Sequence, residues 1–206
     1  MLAPEIGTVK YRRTMTSDFA TLEPDTTLHQ HRSRLLEGMA LAVAQKGYAN
    51  TTIADVVREA SVSRRTFYEH FSTKAECFVA LYGAASHNAL KVLRQAIDPS
   101  HGWEEQLERA LGAYLGAMAA NPALMRTLFI EILHLGPEGL AARRRVNQEI
   151  ADYMVAMVRE VTPELAMAVV GGIHELVLQA IEDGHVDELP QLTRTATALV
   201  RAVAHR

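Results

Sequence analysis

The chain has 206 residues, of which 49% are hydrophobic and 22% are charged, and its net charge is −3 at neutral pH. This composition is ordinary for a soluble globular protein. A single cysteine, Cys77, excludes an internal disulfide and fits a reducing compartment. No apolar run approaches the ~20 residues that span a bilayer. The N-terminus lacks the apolar region of a signal peptide, so the sequence predicts a cytoplasmic protein with no membrane partner.

The charges are unevenly distributed along the chain. Residues 1–75 hold ten Lys/Arg against eight Asp/Glu, while the remainder holds eleven against sixteen. A basic head on an acidic body is compatible with one DNA-facing end. Residues 1–26 are predicted to be a flexible arm with a basic cluster at Lys10, Arg12 and Arg13. This arm is either a solvated tail or a segment that reaches phosphates or a minor groove.

Helical periodicity begins near Leu28. Apolar residues recur at three- and four-residue spacing until Gly47, which is expected to end the first helix. Thr51 or Thr52 is predicted to cap a second helix. A short turn over residues 61–63 leads to a third helix, which ends near residue 71. Thr73 and a following Glu at capping-box spacing open a longer fourth helix.

The rest of the chain is predicted to be helical, without strands or internal repeats. Pro122, Pro137 and Pro163 lie at helix starts, where the missing N–H of proline has no cost. The predicted helices cover residues 73–97, 103–120, 122–135, 137–160, 163–183 and 189–204. We therefore expect an all-α fold of about nine helices, with a three-helix head over residues 27–74 and a helical body over residues 75–206.

The second and third helices have the plan of a helix-turn-helix. On the third helix, Arg64, Arg65 and Tyr68 offer long polar side chains, while Val62 and Phe67 can anchor the helix to a core. A helix that enters a major groove needs this division, because one face must hold the protein and the other must meet the bases. Arginine can bind guanine through two hydrogen bonds. This segment is therefore predicted to bind DNA.

Residues 51–82 read TTIADVVREASVSRRTFYEHFSTKAECFVALY. This segment resembles the DNA-binding head of TetR-type (TetR/AcrR family) transcriptional regulators, and the resemblance extends over residues 35–82. The matching elements are residues 52–54, 60–63, 66–71 and 74–76. One departure is Ser61, at a turn position where the family usually has glycine. We expect the turn to be kept with slight strain, because serine tolerates a positive φ less well than glycine.

The resemblance implies roles for residues of the head. Ser63 is expected to cap the third helix, and Glu69 is assigned to solvent or to an internal pair, because an acid would repel phosphate. The implied contacts to the DNA backbone are Thr52, Tyr68, His70 and Lys74, and the implied base readers are Arg64, Arg65 and Thr66. Together with Ser63, these residues form the expected interface with a double-stranded operator.

The resemblance further implies a body that binds a ligand and forms a homodimer. The last two helices are the expected dimer surface, because adjacent glycines in a helix suggest close packing. The interface candidates are Ala168, Gly171, Gly172, Glu175, Leu178, Leu192, Ala196, Leu199 and Val203. Two such helices from each subunit would form a four-helix bundle about a two-fold axis. A palindromic operator needs that symmetry, with recognition helices about 34–36 Å apart or a multiple of it.

The middle helices are the expected site of a small apolar effector. The pocket candidates are Trp103, Tyr114, Met118, Met125, Phe129, His134, Met154, Met157 and His174. For each of them, simple core packing is the competing interpretation. No cofactor, resident metal or catalytic residue is expected. The function predicted from the sequence is therefore a ligand-responsive dimeric repressor.

Two alternatives remain open. The first keeps the fold but has no small-molecule effector, so that the protein is an activator or responds to a protein partner. The second is a helical di-metal carboxylate enzyme that uses Glu131 and His134, a Glu-x-x-His pair that Glu182 and His185 repeat. Such a site needs two further inward-facing glutamates, and the second pair lies at a helix end.

Overall fold

The computed structural model describes residues 27–158 and 161–204. Within these ranges the chain forms nine α-helices and two 3₁₀ helices, and no strand, so the predicted all-α fold is confirmed. The predicted N-terminal arm, with Lys10, Arg12 and Arg13, lies outside the described residues. The helices are α1 (Thr27–Asn50), α2 (Ile53–Ala60), α3 (Arg64–His70), α4 (Lys74–Gln95), α5 (Trp103–Ala119), α6 (Pro122–Phe129), the 3₁₀ helix Glu131–Leu135, α7 (Pro137–Met157), α8 (Pro163–Glu182), the 3₁₀ helix Val186–Leu192 and α9 (Thr193–Ala204).

The described residues divide into two compact units. The head unit contains the residues up to Ala85 together with Arg126–Leu140. The body unit contains Ser86–Met125 and the residues from Ala141 onward. The boundary between the two units therefore lies after Ala85 and not after residue 74. The segment Arg126–Leu140, from the middle of the sequence, belongs to the head unit.

The head unit is built on large apolar side chains that are almost fully buried, among them Phe67, Phe71 and Phe78. Burying one such side chain stabilises the fold by roughly 1.5–3 kcal/mol. Gly38 allows α1 and α2 to approach closely, because a Cβ there would lie 2.6 Å from the carbonyl oxygen of Val56. The close approach therefore depends on the absence of a side chain at this position.

Gly47 interrupts α1 as expected. Its φ of 78° and ψ of 158° are not helical, although the helix assignment continues to Asn50. The Lys46 ammonium lies 2.6 Å from the Asp55 carboxylate. This hydrogen bond, followed by those from Thr52, holds the pKa of Asp55 well below its usual range. The end of α1 is in this way bonded to the first turn of α2.

The later helices differ from the expected ones at their ends. The helix predicted over residues 122–135 stops at Phe129, and a 3₁₀ turn follows it, ending at Gly136 with φ +59°. The helix predicted from residue 189 starts at Thr193, because Pro190 lies in the preceding 3₁₀ segment and disfavours the α conformation of the residue before it.

Among the described residues, one helix, α8, is long and apolar enough to cross a membrane by length and composition. The sequence was expected to contain no such run, so that expectation is corrected. Seven residues of α8 are buried within the chain, from Ala166 to Ile181. The core helix of a soluble protein has the same composition.

Candidate nucleic-acid interface and ligand cavity

The turn between α2 and α3 has the strained residue that the sequence predicts. Ser61 has φ 52° and ψ 45° and is the non-glycine residue with positive φ among the described residues. Its N–H donates to the Arg58 carbonyl at 3.1 Å. Its own carbonyl accepts from the Arg34 guanidinium at 2.8 Å, which connects the turn to α1. The expected turn is kept.

Two side chains from the expected DNA-contacting set cap the helices of this motif. The Thr52 hydroxyl donates to Asp55 Oδ2 at 2.6 Å, and the Thr52 N–H donates to the same oxygen at 2.9 Å. The Ser63 hydroxyl accepts from the Thr66 N–H at 3.0 Å and lies 2.9 Å from the Thr66 hydroxyl. Both donors of Thr52 are therefore used by Asp55, and a phosphate contact would require its hydroxyl to turn away.

The exposed face of α3 consists of Arg64, Arg65, Tyr68 and Glu69. At about 100° per residue these four positions lie within an arc of roughly 140°, and the fully buried Phe67 lies outside that arc. The Arg65 side chain is 90% exposed, and its Nε donates to Glu69 at 3.1 Å. The internal pair expected of Glu69 is thus present. An exposed pair of this kind contributes at most about 1 kcal/mol, so it can open readily.

Thr66 does not share this face. It is half-buried beside Ser63, so the structure brings Tyr68 rather than Thr66 next to the two arginines. Tyr68 is 56% exposed, and its ring packs edge-on against Phe67. The exposed position of Tyr68 follows from its spacing of three and four residues from Arg65 and Arg64.

His70 lies at the rim of the head core. Its Nε2 is buried and has no hydrogen-bond partner among the described residues. Burial lowers its pKa, and the neighbouring positive charge of Arg32 and the ring of His31 lower it further. His70 therefore has an unused nitrogen that a phosphate could reach only if the surrounding side chains moved.

Lys74 is bonded within the head unit. Its ammonium donates to the carbonyls of Tyr48 at 2.8 Å and Thr51 at 2.7 Å, and it lies 4.1 Å from the centre of the Tyr48 ring. Burial lowers its pKa. Two of its three N–H groups are thus used, which leaves one for a phosphate.

The family comparison identifies the helix-turn-helix. Residues 38–81 match the family model for bacterial regulatory proteins of the tetR family. The helix-turn-helix segment of this chain is therefore similar to that of tetR-family regulatory proteins. A curated relative, the HTH-type transcriptional regulator YxbF of Bacillus subtilis (strain 168), is 27% identical over 99 residues. That match covers 48% of this chain but only 26% of the relative, about a quarter of its length.

Solved structures show the same fold beyond the TetR-family head. The fatty acid degradation regulator FadR from Bacillus halodurans superposes with a TM-score of 0.75 at 15% identity, covering 89% of this chain and all of that chain. The transcriptional regulator FadR from Bacillus subtilis, solved in complex with stearoyl-CoA, gives a TM-score of 0.72 at 15% identity, covering 84% of this chain and 98% of that chain. Both proteins are described as regulators and not as enzymes.

The body unit contains an apolar cavity of about 130 Å³. Three of the predicted pocket residues line it, namely Trp103, Met154 and Met157. The full lining is Leu93, Ile97, Trp103, Gln106, Leu107, Ala110, Leu111, Ile150, Tyr153, Met154, Met157, Val158, Val169, Val170, Ile173 and Val200. The Gln106 amide donates to the His101 carbonyl at 2.6 Å, which occupies one polar group of an otherwise apolar wall.

The other predicted pocket residues lie elsewhere. Phe129 and His134 belong to the head unit, because the segment Arg126–Leu140 packs there. Met118 and Met125 are buried core residues of the body unit. Tyr114 and His174 bond to each other and are not among the residues that line the cavity.

The Tyr114–His174 pair is part of a buried polar network. The Tyr114 hydroxyl lies 3.0 Å from His174 Nε2, and His174 Nδ1 lies 3.1 Å from Asn147 Oδ1. Because an amide oxygen only accepts, this assignment puts the His174 proton on Nδ1 and lets Tyr114 donate to Nε2. Burial, helped by the positive charge of Arg143, lowers the pKa of His174 to about 4. His174 is therefore neutral at physiological pH.

The expected dimer surface is largely open in the single chain. Ala168, Gly172 and Glu175 are exposed. A Cβ at Gly171 would meet no atom within 4 Å, and one at Gly172 would lie 4.0 Å from Leu199. The half-buried members are Gly171, Leu178, Leu192, Leu199 and Val203, whereas Ala196 is fully buried within its own chain and does not belong to an outer surface.

The residues of the di-metal alternative make other contacts. Glu131 accepts a hydrogen bond from the Tyr48 N–H and lies 3.1 Å from His134 Nδ1. Glu182 and His185 are exposed at the end of α8. Over residues 27–158 and 161–204, no group of three or more metal-binding side chains comes together. The sequence did not predict the role of Glu131 in the head unit, because its partner is a backbone N–H, which every residue except proline has.

Proposed function

We propose that this chain is a TetR-family regulator, a cytoplasmic homodimeric repressor that binds a palindromic operator through α3 and releases it when an apolar effector occupies the body unit. The observation that carries the proposal is the exposed face of α3. Arg64 and Arg65 can each bind guanine through two hydrogen bonds, and the Tyr68 hydroxyl can bind a phosphate or a base edge. Phe67 keeps the opposite side of the helix in the core.

The dimer is supported by the surface of α8 and α9. Small exposed residues such as Ala168, Gly172 and Ala202 let a second helix approach closely, and Leu178 and Leu199 add apolar area. A two-fold axis through this surface would relate two copies of α3, and a palindromic operator has half-sites one helical turn of DNA apart or a multiple of it. Sedimentation of the full chain should give a dimer, and Gly172→Glu should give a monomer with weaker operator binding.

The effector is expected to be apolar where it meets the cavity. The volume of about 130 Å³ is close to that of engineered cavities that bind benzene, and the lining offers almost no polar group. A FadR neighbour was solved with stearoyl-CoA, whose acyl chain is apolar. A complete acyl chain would exceed the present volume, so the cavity would have to enlarge to accept it.

The experiment has two arms. The full chain is used to select duplexes from a random pool, and the dissociation constant of the best duplex is measured with and without stearoyl-CoA. We expect a palindromic duplex and a loss of affinity when stearoyl-CoA is added. Selection of no sequence would refute operator binding. Tight binding of stearoyl-CoA with unchanged DNA affinity would refute the switch, since a ligand acts only through a difference in affinity for two states.

The small cavity favours one alternative within the same family. A volume of about 130 Å³ is below the 300–1,000 Å³ that is usual for ligand sites. A regulator that answers to a protein partner, or that activates transcription without a small effector, would need no larger pocket. A thermal-shift screen with stearoyl-CoA and small apolar probes separates the two, because only the ligand-responsive protein should be stabilised.

A further inference from the structure

Residues 47–51, from the non-helical break in α1 to the residue before the cap of α2, form the link that precedes the helix-turn-helix. Gly47, with φ +78°, turns the chain out of α1. The N–H of Tyr48 then donates to Glu131 Oε2 at 2.8 Å, across 83 residues of sequence. Both residues belong to the head unit. A carboxylate from the middle of the chain is therefore bonded to the backbone just before the DNA-binding motif.

The Glu131 carboxylate is held in place by its surroundings. Its side chain is 12% exposed, and its Oε2 also lies 3.1 Å from His134 Nδ1. The next residue, Ile132, is fully buried. A Cβ at Gly139 would overlap the Ile132 carbonyl, so the start of α7 packs tightly on the 3₁₀ helix. The carboxylate thus has little freedom to move on its own.

Lys74 binds the same link through the carbonyl groups of the link. Its ammonium donates to the carbonyls of Tyr48 and Thr51 and lies over the Tyr48 ring. That ring stacks on Phe78 with 5.0 Å between centroids. One short link is therefore bonded to a negative and a positive side chain that come from different elements.

We propose that Glu131 is a positioning residue for DNA recognition, which holds the Tyr48 N–H and thereby fixes the start of α2 and the placement of α3. Thr52, the cap of α2, follows Tyr48 by four residues. A hydrogen bond to a carboxylate is stronger than one to a neutral acceptor. A link that is ordered before binding also avoids the entropic cost of ordering it on DNA.

This proposal rests on the DNA-binding function proposed above. Its test compares Glu131→Ala and Glu131→Gln with Glu138→Gln in the full chain. Glu138 is an exposed acid in the same segment, so its substitution measures the effect of lost charge alone. On the duplex that the wild type selects, we expect Glu131→Ala to weaken binding about tenfold or more, because the link would then have to be ordered on DNA. Glu131→Gln should lose less, because its amide oxygen still accepts, and Glu138→Gln should bind as the wild type does.

Hydrogen exchange of the Tyr48 amide provides an independent readout. We expect faster exchange in Glu131→Ala and wild-type exchange in Glu138→Gln. Faster exchange with unchanged DNA affinity would overturn the proposal, as would equal losses for Glu131→Gln and Glu138→Gln. If Glu131→Ala does not fold, Glu131→Gln decides between these results. A wild-type protein that selects no DNA would refute the proposed function instead, and an unchanged Tyr48 exchange rate in Glu131→Gln and Glu131→Ala would then refute the bond itself.

Discussion

The head unit and the body unit use polar side chains in different ways. In the head unit, Thr52 and Ser63 cap short helices. Lys74 bonds to the backbone carbonyls of the residues that precede α2. In the body unit, Tyr114, His174 and Asn147 bond to one another inside an apolar core. The head therefore combines local caps, which the sequence encodes directly, with the long-range bonds of Lys74 and Glu131, whereas the polar network of the body depends wholly on the meeting of distant helices.

The largest difference that we expect between the two units is in the pH dependence of the free energy of unfolding, to which His174 of the body unit contributes. The lowered pKa of His174, about 4 against 6.5, means that the unfolded chain binds this proton more readily. Above pH 6.5 this group does not affect the free energy of unfolding. As the pH falls from 6.5 to 4, the free energy of unfolding decreases by about 3 kcal/mol, at 1.36 kcal/mol per pH unit. Urea unfolding of the wild type and His174→Gln over this range should show a flatter profile for the variant. His70 titrates in the same direction in both proteins, so parallel profiles would contradict the assignment.

The next effect concerns packing in the head. Gly38→Ala should destabilise the protein by about 2 kcal/mol, because its Cβ would lie 2.6 Å from the Val56 carbonyl. Gly83→Ala is the matched control, since it also lies within a helix but its Cβ would meet no atom within 4 Å. That control should gain up to about 1 kcal/mol from the higher helix propensity of alanine. Urea unfolding measures both, and equal shifts would show that α1 and α2 are not in close contact.

The smallest expected effect is at the turn of the helix-turn-helix. Ser61→Gly should stabilise the head by about 1 kcal/mol, because glycine adopts φ 52° without the steric cost that serine has. Thermal unfolding measures the gain. A loss of stability would mean that the Ser61 side chain contributes more than the strain of its backbone costs.

The two units also differ in how much of them could be predicted. The caps at Thr52 and Ser63, the break at Gly47 and the strained Ser61 follow from local rules, and each was predicted. Of the residues predicted for the effector pocket, Trp103, Met154 and Met157 line the observed cavity. Its remaining residues were not predictable, because membership depends on which face of each helix is turned inward.

The packing of Ala196 and the partner of Glu131 could not be predicted from the sequence, because both depend on the three-dimensional arrangement of distant residues. Ala196 fits an apolar stripe, but whether its stripe packs inside the chain or on a partner is decided by neighbouring helices. Glu131 was considered as a metal ligand because its spacing to His134 allows it. Its observed partner is the backbone N–H of Tyr48, and any residue other than proline has that group.

The most direct test of the central claim, that the exposed face of α3 reads DNA bases, compares Arg65→Ala with the wild type on two duplexes. One duplex is the sequence that the wild type selects, and the other has the same composition in scrambled order. Arg65→Ala should lose roughly 1–3 kcal/mol on the selected duplex and little on the scrambled one. Equal losses on both duplexes would contradict the claim, because Arg65 would then contact only the phosphate backbone.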